Sequence, residues 1–162
     1  MAKRIDVSQL PSMFGTRYPA PFDEPCLKRE RKRIGDAAGL TQYGVNLLTL
    51  KPGTWSSQRH WHSREDEFVY VLSGEVVMVS NDGEEVLRPG DAAGFPAGTG
   101  DGHQLQNRSD ADAVVLEIGS RIAEDAVDYP DIDLILPAGN AKTGDFLHRD
   151  GTPYAKTDRR SG

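Results

Sequence analysis

Between about residues 41 and 119 the chain never runs far without a turn. Short stretches rich in β-branched and aromatic residues alternate with Gly, Pro, Asn and Asp. Residues 44–50 are closed by Lys51-Pro52-Gly53, residues 67–72 by Ser73-Gly74, and residues 75–80 by Asn81-Asp82-Gly83. The last of these signals a tight hairpin, with residues 84–87 as the return strand. Residues 56–61, 92–95, 103–107 and 113–118 complete the set. No stretch here carries the 3.6-residue apolar period of a packed helix. Many short strands at close spacing predict an all-β fold, a sandwich or a barrel.

The flanks read differently. Residues 1–40 hold Pro11, Pro19, Pro21 and Pro25 and predict an extended arm lying on something else. Within the arm, Lys28-Arg29-Glu30-Arg31-Lys32-Arg33 reads as a solvated strand or loop face, or else as a contact to an anionic substrate or partner. Residues 120–162 are turn-rich, with turns expected at 128–131 and 149–153 and one last short strand at 132–136.

Composition narrows the function classes. Acidic residues outnumber basic ones by 25 to 19, a net charge of −6 that argues against a general nucleic-acid binder. No apolar run approaches the roughly 20 residues of a membrane span. The N-terminus lacks the apolar core of a secretion signal. Cys26 is the single cysteine, so no intramolecular disulfide or Cys-x-x-Cys site can form. A reduced, cytoplasmic compartment is the expectation.

Chemistry concentrates at four positions. His60 and His62 are two apart, so on a strand they share a face, separated by about 6.6 Å along it. Two imidazoles so placed can converge on one ion at about 2.1 Å each. The turn over residues 63–66 returns Glu67 on an adjacent strand, and His103 arrives from a distant one. Gln58 shares the face of His60 and His62 and is a candidate substrate-binding residue. Trp55 and Trp61 fall on the other face, as exterior packing, and Arg59 points away from the histidines. Glu65 and Asp66 read as solvated, and His148 as a surface histidine.

These residues sit in two segments that resemble the two signature motifs of the cupin superfamily. Gly53, His60, His62, Glu67 and Gly74 follow the first, with one extra residue after Gly53. Gly90, Pro96, Gly98, His103 and Asn107 follow the second, with two extra residues before His103. The resemblance implies a double-stranded β-helix, the antiparallel jelly-roll barrel, over residues 41–119. It also implies one divalent transition metal (Fe, Mn, Ni, Co, Zn or Cu) held by His60, His62, Glu67 and His103. Open positions on such an ion leave room for a small-molecule substrate. The activity implied first is isomerisation or epimerisation of a sugar or sugar phosphate, with Glu67 as the catalytic proton carrier. A non-haem dioxygenase and a non-catalytic small-molecule binding protein are the alternatives. A basic mouth would favour the phosphate reading, and a closed apolar one oxygen chemistry. Family members commonly dimerise, and Ile5, Val7, Leu10, Phe14 and Tyr18 of the arm need cover, so a homodimer is expected.

Overall fold

The structure is a computed structural model that describes residues 2–162. Most of the expected strands form. In chain order they are β1 (Met13–Phe14), β2 (Glu30–Lys32), β3 (Tyr43–Leu50), β4 (Trp61–His62), β5 (Glu67–Ser73), β6 (Val76–Ser80), β7 (Gly83–Leu87), β8 (Ala92–Phe95), β9 (Gln104–Gln106), β10 (Ala113–Ser120), β11 (Val127–Tyr129) and β12 (Leu134–Leu136). One short helix, α1 (Ile34–Ala38), joins β2 to β3. Every strand pairing is antiparallel. The order is β1-β2-β3-β10-β5-β8 in the large sheet, with two three-stranded sheets, β12-β11-β4 and β7-β6-β9, making the rest of the jelly roll. Among the described residues no helix is long and apolar enough to cross a membrane.

Strand alternation sorts the large sheet into two faces. Val69 and Val71 of β5 are buried, while Phe68, Tyr70 and Leu72 between them are exposed. Directly opposed residues share a face. Val71 lies across from Val115, and Val115 from Leu48, and together they form the middle of the barrel core. The next row inward is Val69, Glu117 and Asn46, and the next is Glu67 and Gly119. The barrel is therefore apolar at one end and carries polar groups at the other. Gly74, which ends β5, has φ 72°, and a Cβ there would meet the Asp112 carbonyl oxygen at 2.4 Å. Only glycine fits that corner.

The arm lies on the rest of the chain: β2 extends the large sheet along β3, and Tyr18 and Cys26 are buried in a second core. That core is completed by Val127, Tyr129, Leu134, Leu136 and Phe146 of the tail, with Trp55 packed against it. The arm's own chain thus supplies the cover that Tyr18 needs. In the tail, Asp128 and Tyr129 belong to β11 rather than to a turn, and the last strand starts at Leu134. The strand expected over residues 56–61 is reduced to β4 and isolated bridges, Trp55 to Gln106 and His60 to His103. Here side chains take the carbonyls that a ladder would use. Arg29 and Arg31 donate to the Ser56 oxygen, and the His60 ring donates to the Gln58 oxygen.

Candidate metal centre

The irregular strand before Trp61 and the regular strand β5 aim their side chains at one point. Glu67 Oε2 stands 2.9 Å from His103 Nε2, 3.4 Å from His62 Nε2 and 3.5 Å from His60 Nε2. Ligand atoms of His60, His62 and Glu67 all lie within 4.8 Å of one another. His103 closes the group, its ring centroid 4.9 Å from that of His60.

The second ring nitrogens set the tautomers. His60 Nδ1 donates to the Gln58 carbonyl at 2.9 Å, and His62 Nδ1 donates to Asp125 Oδ2 at 2.6 Å. Both rings therefore turn Nε2 toward the Glu67 carboxylate. The Nε2–Oε2 separations of 3.4 and 3.5 Å are long for hydrogen bonds and of the size that two ligand atoms of one ion keep. His103 differs: its Nδ1 is buried without a partner, so its Nε2 carries the proton and donates to Glu67. Two imidazole lone pairs and a carboxylate oxygen converging in this way fit a divalent transition metal, and the cluster can hold one.

Packing holds the rings in place. Phe95 lies flat on His103 at 3.6 Å between centroids, and Tyr129 stacks on His60 at 5.7 Å. Burial pushes the Glu67 carboxyl up, but the surrounding imidazoles of His103, His60 and His62 outweigh it and hold it well below the usual carboxylate range. Glu67 is thus an anion at neutral pH. Burial beside Tyr18 pushes the Tyr129 hydroxyl well above its ordinary value, so it stays neutral.

Asp125 is the residue that the sequence did not advertise. It is buried, and besides His62 it accepts from Ser63 Oγ and from the backbone N–H groups of Arg64 and Glu65. His62, Glu65 and Asp125 lie close enough to be considered as a second ion group. However, the His62 nitrogen facing Asp125 is already a donor, so these residues orient the ring instead. Glu65 is not solvated: it accepts from the Ile122 N–H at 2.6 Å, and burial pushes its carboxyl up. Gln58 turns its carboxamide to the Phe22 carbonyl at 2.7 Å, tying down the arm and leaving the pocket to others. Arg59 points away, to Asp131, Asn81 and the Gly102 carbonyl. His148 is half-buried, bonded to Asp133 and stacked on Tyr154.

The cluster opens into a cavity of about 1090 Å³ between arm, barrel and tail. The basic run contributes to its wall. Arg29, Arg31 and Arg33, every second residue, line the cavity, while Lys28 and Arg33 stay exposed to solvent. The cavity lining is mixed, with basic side chains outnumbering carboxylates among apolar ones.

Comparison with known proteins agrees with this geometry. The family described as Cupin domain matches residues 46–119. A crystal structure of a sugar phosphate isomerase from a cupin superfamily, from Silicibacter pomeroyi DSS-3, is 40% identical and superposes with a TM-score of 0.87, covering 94% of this chain and 97% of that one. A structure from Acidithiobacillus ferrooxidans ATCC 23270, provisionally named a sugar phosphate isomerase, is 28% identical with a TM-score of 0.76, covering 97% of both chains. The polyketide cyclase RemF from Streptomyces resistomycificus shares the fold, at 20% identity and a TM-score of 0.59 over 74% of this chain and 80% of that one. No curated protein matches the sequence.

Proposed function

Because the chain belongs to the cupin superfamily, we propose that it is a metal-dependent isomerase or epimerase acting on a sugar or sugar phosphate. The observation that carries this reading is the convergence of His60, His62, His103 and Glu67 at a cavity whose wall is rich in arginine. The name of the Silicibacter pomeroyi relative supports the same substrate class. His60, His62 and Glu67 would hold the metal, with His103 joining them once its Nε2 gives up its proton, and the metal when bound would polarise a substrate carbonyl or hydroxyl.

The chain's own residues supply the rest. Glu67 Oε2 takes the histidine contacts, while Oε1 points toward Gly119, where a Cβ would lie 3.9 Å from it. Oε1 is the atom that would take a proton from one carbon and return it to its neighbour. Phe95 and Tyr129 keep two of the rings from turning, and Asp125 fixes a third. The basic wall favours a phosphorylated substrate over the oxygen chemistry that an apolar mouth would suit.

The test has two parts. Protein purified after growth in metal-supplemented medium should carry about one equivalent of a transition metal, and His62→Ala should lose it. Incubated in D₂O with aldose and ketose phosphate pairs, the wild type should place deuterium beside the carbonyl, and Glu67→Gln should not. Wild-type protein without metal, with His62→Ala unchanged in content and stability, would defeat the site. Oxygen uptake with a catechol or thiol substrate would defeat the isomerase reading.

A further inference from the structure

The cavity is charged unlike the rest of the molecule. Seven basic side chains line it against five carboxylates, in a chain of net charge −6. Most of these cations have a carboxylate of their own. Arg31 forms a forked pair with Glu117 at 2.7 and 2.9 Å, Arg121 pairs with Asp36, and Arg160 with Asp158.

Arg29 is the exception among those on the inner wall. Its partners are the Gly15 carbonyl, the Ser56 carbonyl and the Thr16 hydroxyl, all neutral, with the Tyr18 ring 5.6 Å away. A guanidinium has five N–H groups, so three bonds leave two to spare. Arg31 leaves its Nη1 without a protein acceptor once Glu117 and Ser56 are served. Burial, with Arg31 close by, pulls Arg29 below its ordinary pKa. A partly buried cation without a counter-ion is costly, and an anionic ligand is what relieves it. Arg17 repeats the pattern at the mouth. It donates to the carbonyls of Lys142 and Ala141 at 2.9 Å each, and burial, with Arg160 close by, pulls it below its ordinary pKa although Asp158 opposes the shift.

The ladder fixes where this lies relative to the metal centre. Glu117, which Arg31 grips, faces Val69, and Gly119 faces Glu67 on the same sheet face. The Arg31–Glu117 pair is therefore one pleat repeat, about 6.6 Å, from the Glu67 row. We propose that Arg29 and Arg31, with Arg17 at the mouth, form a subsite for the dianionic phosphate group of a phosphate monoester whose other end reaches the histidine cluster. This deepens the proposed function and rests on the cavity being the substrate site. Arginine's planar fork suits phosphate oxygens.

Calorimetry with inorganic phosphate tests it on the full chain, at ionic strength fixed with chloride, with acetate as the carboxylate control. Chelator is included in one arm to remove metal. Saturable phosphate binding is expected with and without chelator, about tenfold or more tighter than acetate. The charge-balanced double variant Arg31→Gln/Glu117→Gln should weaken phosphate about tenfold. Arg17→Gln, which gives up only two carbonyl contacts, should weaken it by a smaller factor and keeps the test open if the double variant does not fold. Absence of saturable binding by the wild type overturns the proposal. So does binding that vanishes in chelator, since the metal would then be the phosphate's partner, and so does binding that neither variant alters. None of these readouts needs turnover. Phosphate binding lost in the variants of a protein that isomerises no sugar would leave this subsite standing and sink the isomerase reading alone.

Discussion

Removing Asp125 would leave His62 Nδ1 without its acceptor and strand the donors of Ser63, Arg64 and Glu65. Loss of such an outer hydrogen bond to a ligating histidine typically costs about 10–100-fold in metal affinity. Asp125→Ala should show that loss in a chelator competition titration, together with about 1–3 kcal/mol of stability by urea unfolding. An unchanged metal affinity in the folded variant would remove Asp125 from the site. At this scale, two-residue spacing put His60 and His62 on one face, and the resemblance to the two cupin motifs singled out Glu67 and His103 beside them. Asp125 was not legible. It is one acid among 25 acidic residues, in a turn-rich tail, and its role depends on a pairing that brings it back across 63 positions. Arg29 and Arg31 did leave a signal: arginine recurs at every second place of the basic run, the period of a strand with one face turned inward.

Between elements, the barrel and the tail are joined by Arg59 and Asp131, whose fork measures 2.6 Å on each arm. Hydrogen bonding to Arg59 holds the Asp131 carboxyl below its ordinary value. A depressed carboxylate adds stability above the unfolded pKa of about 3.9 and loses it as pH falls through the folded value. Asp131 is 57% exposed, so solvent screens the pair and its worth is about 0.2–1 kcal/mol. Asp131→Asn should lower stability by that amount at neutral pH and flatten the acid side of the stability profile. An acid limb identical to wild type would count against the pair. The second core should be less forgiving. Leu134 is fully buried where arm and tail meet, and Leu134→Ala should cost about 2–5 kcal/mol in a thermal or urea melt. Sequence patterns placed the barrel strands within a residue or two, since hairpin signals and alternation are local. The arm and the tail escaped because their strands form against the barrel, β2 on β3 and β11 on β4, and proline-rich segments advertise no period of their own.

For the whole molecule, the chain itself covers Tyr18 of the arm but leaves Phe14 37% exposed. The outer face of the large sheet argues for a partner: Phe68, Tyr70 and Leu72 remain 41%, 38% and 47% exposed along one strand. Two copies of a chain with net charge −6 repel except through uncharged surface, and this row bears no charge, so it can meet itself across a two-fold axis. We propose a homodimer through this face, sedimenting as such at micromolar concentration, and Tyr70→Lys should shift it to monomer. A wild-type monomer would retire the idea. Asp23 and Arg159 are ion-paired across 136 positions, and Phe14 bridges Ser161 beside them. Closing so long a loop takes entropy that the local hairpins of the barrel do not spend. The anion wall should therefore mature after the barrel. In a refolding time course, the chain should regain its β signal first and its response to phosphate second, so that a nascent molecule passes through a stage with a finished scaffold and no competent pocket.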